Sequence, residues 1–239
     1  MNKALIAIDR SKSFRVYLGI TTTMVEDARK VHMTTPLATA ALGRALTGAG
    51  LMGLQLKNKQ DKLTIQFKGD GPAVEILVTA TGGGSVKGYI SNPDVDLPLK
   101  ENGKLDVGGA VGLGTLTVIK DLGLKEPYIG KIDLISGEIG EDLTAYYYLS
   151  EQQPASVALG VKVNTDCTTL AAGGMIIHML PNAEQESVDL LEKLLAEMPP
   201  ISSLVEEVTR QSAGKTEEAV IDSLLDRIFR TLPDEFALE

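Results

Sequence analysis

One cysteine, Cys167, and two histidines, His32 and His178, are the only thiol and imidazole groups in the 239-residue sequence. A single thiol excludes an intrachain disulfide and any zinc site built from several cysteines. Neither histidine has a serine or cysteine at the spacing of a nucleophile and its base. Cys167, in a strand-like stretch, is therefore expected as a small buried apolar residue. Two glycine strings invite a phosphate-binding reading: Gly82-Gly83-Gly84 and Gly108-Gly109-Ala110-Val111-Gly112-Leu113-Gly114. The second lacks the Lys-Ser/Thr ending of a phosphate loop and leads into a strand at Thr115. The first is followed by Lys87 alone, so tight turns account for both. Glu141-Asp142 falls in the first turns of a helix, where the dipole favours carboxylates. Tyr146-Tyr147-Tyr148 could stack bases only within a basic surround, which the sequence lacks. No catalytic signature stands out. The chain is expected to be no enzyme and to hold no cofactor and no metal. A small-molecule binder or enzyme using the glycine strings is the alternative.

The charge is unevenly placed. Of 32 acidic and 23 basic residues, 14 acidic and 5 basic ones lie in residues 182–239, which carry the whole formal charge of -9. Only Gly214 of the 24 glycines lies there. A neutral glycine-rich body over 1–181 is thus followed by an acidic segment over 182–239. Without a basic face the chain is not expected to bind nucleic acid. The apolar run Ala4 to Ile8 is closed by Asp9 and Arg10, too short for a signal-peptide core. A cytoplasmic location is expected.

Several elements must position these residues. Lys3 to Ile8 and Phe14 to Ile20 read as a hairpin. Pro36 to Leu56 has Arg44 near its middle, a small residue at every fourth position from Ala41 to Gly53, and leucines all round its axis. That is a buried central helix rather than a membrane span. Lys62 to Lys68 alternates as a strand with one wet face. Strands are expected at Val74 to Ala80, Ser85 to Ser91, Thr115 to Ile119, Tyr128 to Ile135, Ser156 to Val163 and Leu170 to Met179. Asn102-Gly103 signals a tight turn between Leu97-Pro98-Leu99 and Lys104-Leu105, and Glu138 to Gln152 reads as a helix. The sum is an α+β fold: antiparallel sheets packed around a buried central helix, followed by an amphipathic helical segment.

After Pro181 the period is helical. Asn182 with Gln185 resembles a capping box. Val188, Leu191, Leu195 and Met198 line one face until Pro199-Pro200. Ile201, Leu204, Val205 and Val208 begin a second helix, and Thr216 caps a third bearing Ile221, Leu224, Leu225, Ile228 and Leu232. Such one-sided helices must lie on the body or on a partner, and they should be among the least stable parts of the molecule.

Seven stretches read together resemble one family. They are Met33 to Arg44, Gly88 to Pro93, Gly103 to Val107, Gly114 to Gly123, Ser136 to Asp142, Ser150 to Ser156 and Leu170 to Met175. Their order is similar to the heat-shock protein 33 family of redox-regulated bacterial chaperones. The resemblance implies a cytosolic, ATP-independent holdase that binds unfolding proteins under oxidative stress and forms homodimers. It also implies a helical linker and a C-terminal zinc domain with Cys-x-Cys and Cys-x-x-Cys. None of those four cysteines is present, and the sequence ends at Glu239, about where the first pair would follow. Zinc binding and redox sensing are therefore not carried over, and the zinc domain is expected to be absent. The linker candidates for client binding are Val188, Leu191, Leu195, Met198, Ile221, Leu224, Leu225 and Ile228.

Overall fold

The computed structural model describes every residue except Met1 and Asn182. In chain order, β1 (Lys3–Ile8) and β2 (Phe14–Ile20) are followed by α1 (Thr22–His32), α2 (Pro36–Gly53), β3 (Lys62–Gly69), β4 (Glu75–Thr81) and β5 (Val86–Ile90). Then come α3 (Val107–Val111), β6 (Gly114–Asp121), β7 (Tyr128–Asp133), α4 (Gly140–Leu149), β8 (Ala155–Val163) and β9 (Thr169–Met179). The acidic segment supplies α5 (Gln185–Glu197), α6 (Ile201–Gln211) and α7 (Glu217–Phe229), with one turn of 3-10 helix at Asp234–Phe236. All strand pairs are antiparallel. They form a four-stranded sheet in the order β1-β2-β9-β8 and a five-stranded sheet in the order β5-β4-β3-β6-β7.

Between the two sheets lies α2, the element expected as a central helix. Thr35 accepts from the Ala38 amide at 3.2 Å and Pro36 occupies the first turn, so its start is capped in two ways. Its leucines at 37, 42, 46 and 51 are buried in one cluster with Leu63, Ile65, Phe67, Val78 and Val118 of the larger sheet and Tyr17 and Ile176 of the smaller. The small residues serve close approach: a Cβ on Gly43 would meet Val25 of α1 at 2.7 Å, and one on Gly48 would meet Leu143 of α4 at 2.7 Å. Among the described residues no helix is long and apolar enough to cross a membrane.

Arg44 leaves this apolar helix toward Glu138, Nη1 to Oε2 at 2.6 Å, and Glu138 also pairs with Lys100. Burial pushes the Glu138 carboxyl up, but its bonds to Lys100 and Arg44 outweigh this and hold it below the usual range. The loop carrying Glu138 is itself held from α4. Buried Asp142 accepts from the amides of Ile135 at 2.8 Å, Ser136 at 3.0 Å and Ile139 at 3.0 Å. Ile139 has φ +67°, unfavourable for a β-branched residue, and these bonds over-determine it. That loop is why α4 spans Gly140–Leu149 rather than the expected Glu138 to Gln152.

Of two other expectations, one is met and one is corrected. Gly103 does make a tight turn, its amide donating to Lys100 O at 2.8 Å, but no strand forms on either side. Pro98 has no amide to give a ladder. Cys167 is exposed, not buried: it sits at φ +67° in the β8–β9 turn, where Asp166 accepts from Thr168 and ends the strand pattern. The capping expectation at Asn182 falls outside the described residues. The helix begins at Gln185, with Glu184 at its N-cap position.

His178 is buried on the α2 side of β9, edge-on to Tyr17 at 5.5 Å and Tyr147 at 4.7 Å between ring centroids. Its Nε2 has no hydrogen-bond partner. Burial, then the nearby Arg15 charge, lowers its pKa to about 4; Lys120 acts in the same direction and Glu151 opposes them. Because the folded value lies below the ordinary 6.5, the contribution is complete above pH 6.5 and is lost as pH falls toward 4. The shift corresponds to about 3 kcal/mol over that interval. Urea melts at pH 7, 5.5 and 4 should show this loss, and His178→Met should flatten the pH dependence between 6.5 and 4. An unchanged slope in the variant would remove His178 as its source.

Candidate functional site beneath the helical cover

Strand alternation sends half of β2 and β9 toward α2 and the other half away from it. The away-facing half is as apolar as the first. The register sets Val16 opposite Ile177 and Leu18 opposite Met175, with Phe14 and Ile20 at the two ends. These residues are buried although no second sheet lies on that side. Helices α5, α6 and α7 lie there instead. They form a second apolar cluster with Leu191, Ile201, Leu204, Val205, Val208, Val220, Ile221, Leu224, Ile228, Phe229 and Phe236.

The four-stranded sheet thus has an apolar core on both faces. The five-stranded sheet has one, its outer side carrying Lys62, Thr64, Gln66 and Lys68. Two glycines bring α6 down onto the smaller sheet. A Cβ on Gly173 would meet Val205 Cγ2 at 2.8 Å, and one on Gly160 would meet the Ser202 amide nitrogen at 2.8 Å and Ile201 at 2.9 Å. The ion pairs between this cover and the sheet lie at the rim. Lys3 pairs with Glu218 at one edge and Lys162 with Glu206 at the other, both at 2.6 Å. The hydrogen bond between Lys3 and Glu218 raises the lysine pKa and lowers that of the carboxyl. Such exposed pairs add little and weaken with salt. The outward side of the helices bears Glu186, Asp189, Glu192, Glu197, Asp222 and Asp226, all exposed.

The candidate residues fall into three groups. Leu191, Ile221, Leu224 and Ile228 are buried in the second cluster. Leu195, Met198 and Leu225 are half-buried against it. Val188 is half-buried but lies outside that cluster, and Leu190 and Leu194 pack there instead. The phase of α5 is turned by a polar residue: buried Ser187 bonds Ser13 Oγ at 3.0 Å, which points positions 187, 190, 191 and 194 at the sheet. A serine in an apolar stripe gives no such signal to a periodicity count. Val220, Phe229 and Phe236 also belong to this surface; Phe236 sits beyond the last helix, where periodicity no longer speaks.

The glycine strings offer no open cradle. In the second, the Gly109 amide goes to Asp106 at 2.9 Å, Gly112 to Gly108 O at 2.8 Å and Leu113 to Asp70 at 2.7 Å. In the first, Gly82 donates to Asp61 O and Gly84 to Thr81 O. These amides are already used inside the turns. Nor do Cys167, His32 and His178 gather: among the described residues no group of three His, Cys, Asp or Glu side chains could hold a metal. The residues present do not fit the zinc site that the resemblance implies.

An α+β protein with one sheet stoppered by polar-backed helices is the class that this geometry defines. Its relatives make the assignment specific. The family model described as Hsp33 protein matches residues 2–236. A 33 kDa chaperonin of Ruminiclostridium cellulolyticum is 48% identical over 227 residues, covering 93% of this chain and 75% of the relative. One of a Geobacillus species is 46% identical over the same shares. The crystal structure of the 33 kDa chaperonin of Thermotoga maritima matches with a TM-score of 0.83 at 36% identity, covering 98% of this chain and 77% of the other. The chain belongs to the Hsp33 family.

Close approach of α6 to the sheet predicts a local effect. Gly160→Ala should press on the Ser202 backbone and lift the start of α6, at a cost of about 1–3 kcal/mol. Urea denaturation should show the loss and limited proteolysis should cut earlier within 198–215. Wild-type stability and an unchanged cleavage pattern would contradict the contact.

Proposed function

We propose that the chain is an ATP-independent holdase of the cytoplasm, which binds unfolding proteins and keeps them from aggregating. The observation that carries this reading is the apolar outer face of β2 and β9, closed by three helices whose far side is acidic and by Phe236 after them. When those helices leave, the sheet exposes Phe14, Val16, Leu18, Ile20, Met175 and Ile177 together with the stripes of α5 to α7. A continuous apolar surface of that kind binds non-native chains without needing a specific sequence. Leu191, Leu195, Met198, Ile221, Leu224, Leu225 and Ile228 would join the client-binding surface from the cover side, with Val188 at its margin.

The family names of the relatives support the chaperone reading, since each is called a 33 kDa chaperonin. Control by oxidation in the manner of the family would need cysteine pairs. Cys167 is the one thiol in the sequence. We therefore place this chain in the oxidative-stress family of chaperones, read it as wholly or partly active in this form, whose residues include none of the switch cysteines, and read it as a homodimer.

Light scattering from a heat-aggregating client tests the proposal. An equimolar amount of the chain should suppress the signal, and hydrogen peroxide should change that suppression less than twofold. Aggregation that proceeds unchanged with the chain present, in either condition, would sink the holdase reading. A large gain on peroxide treatment would sink the switch-free part alone.

A further inference from the structure

The two ends of the helical cover meet at one place in the body, the turn between β1 and β2. At the start of the cover, Ser187 of α5 bonds Ser13 Oγ, and Leu180 donates to Ser13 O at 2.8 Å. At its end, residues 235–239 run antiparallel to the end of β1, with Leu238 bridged to Asp9. Four backbone hydrogen bonds hold them: Ile8 to Glu239 O, Glu239 to Ile8 O, Arg10 to Ala237 O and Ser11 to Glu235 O, between 2.9 and 3.1 Å. The turn is built to receive both. Asp9 is fully buried, its Oδ1 accepting from the Phe14 amide at 2.7 Å and its Oδ2 from the Ser11 hydroxyl. Ser11 in turn meets Ser13 at 2.8 Å, so a chain of hydroxyls links the Asp9 carboxylate to Ser187. Phe236 is buried in the second cluster, and Arg10 pairs with Glu239 at 2.7 Å on the surface.

We propose that the β1–β2 turn is a clasp and that residues 235–239 are its latch, whose release is the first step in opening the cover. This rests on the holdase reading for its purpose, but its geometry is independent of that reading. The latch is short and is held by few side chains. It has no helix of its own beyond one turn, and Phe236 is its one fully apolar anchor, with Leu238 half-buried beside it. Segments with few buried contacts and solvent-facing backbone bonds open first. Once it peels away, α7 loses its connection to the body at the C-terminal side and keeps its stripe and the exposed Lys3–Glu218 pair. Helix α6, held by the glycine contacts at 160 and 173, follows later.

Hydrogen exchange on the full chain tests the order. Two variants weaken the latch by different means. Phe236→Ala removes the anchor and leaves the backbone ladder, whereas Glu239→Pro deletes the amide that donates to Ile8 and leaves the anchor. Both should raise the exchange rate of α7 amides at least tenfold while β3 amides keep wild-type rates. Exchange in α7 that stays within twofold of wild type in both variants would overturn the clasp. If α7 opens faster but neither the wild type nor the variants protect an aggregating client, the clasp stands and the holdase reading falls.

Discussion

The outer face of β2 and β9 cannot be left in water, and most of the molecule is arranged around that constraint. An antiparallel sheet commonly keeps one face solvated. The five-stranded sheet does so, and its strands alternate accordingly. The four-stranded sheet has two apolar faces, so it needs two covers. One is α2, apolar but for Arg44 and the hydrogen-bonded Thr39 and Thr47, which cannot leave because the second sheet closes over it. The other is the acidic segment, which has solvent behind it.

That difference makes one core permanent and the other conditional. The body is locked by more than apolar contact: Glu138 ties α2 to its loop and to Lys100, and Asp142 gathers the amides of that loop. Across the second core the polar links lie at the rim, in the Lys3–Glu218 and Lys162–Glu206 pairs, and at the clasp. Helices α5, α6 and α7 have 13, 11 and 13 residues. Isolated helices of that length are marginal in water. They are helical because the sheet is beneath them, so leaving the sheet and losing helical structure are one event. On the proposed reading, detachment would expose two apolar surfaces at once, one on the strands and one on an unfolding acidic segment whose charge would keep it soluble.

Much of this was legible in the residues. The leucines spread around 37–54 and the small residues between them required a buried central helix, and the alternation at 62–68 required a wet sheet face. Uneven charge marked the acidic segment, and Leu191, Ile221, Leu224 and Ile228 sat on stripes that the structure buries. The misses have specific physical causes. The α5 stripe was rotated by Ser187, whose buried partner Ser13 is 174 positions away. Cys167 was read by its residue type, while Asp166 and Thr168 made its position a turn.

The sequence by itself determined which segments are apolar on one side, which on both, and where the negative charge lies, because those depend on local composition and period. It also determined that one thiol cannot form an intrachain pair. Only the tertiary structure decided that the three acidic helices share one sheet face, that Gly160 and Gly173 let α6 down onto it, and that both ends of the cover close on Asp9. Those relations join residues far apart in the chain, and their partners are chosen by packing and hydrogen-bond geometry that no local pattern encodes.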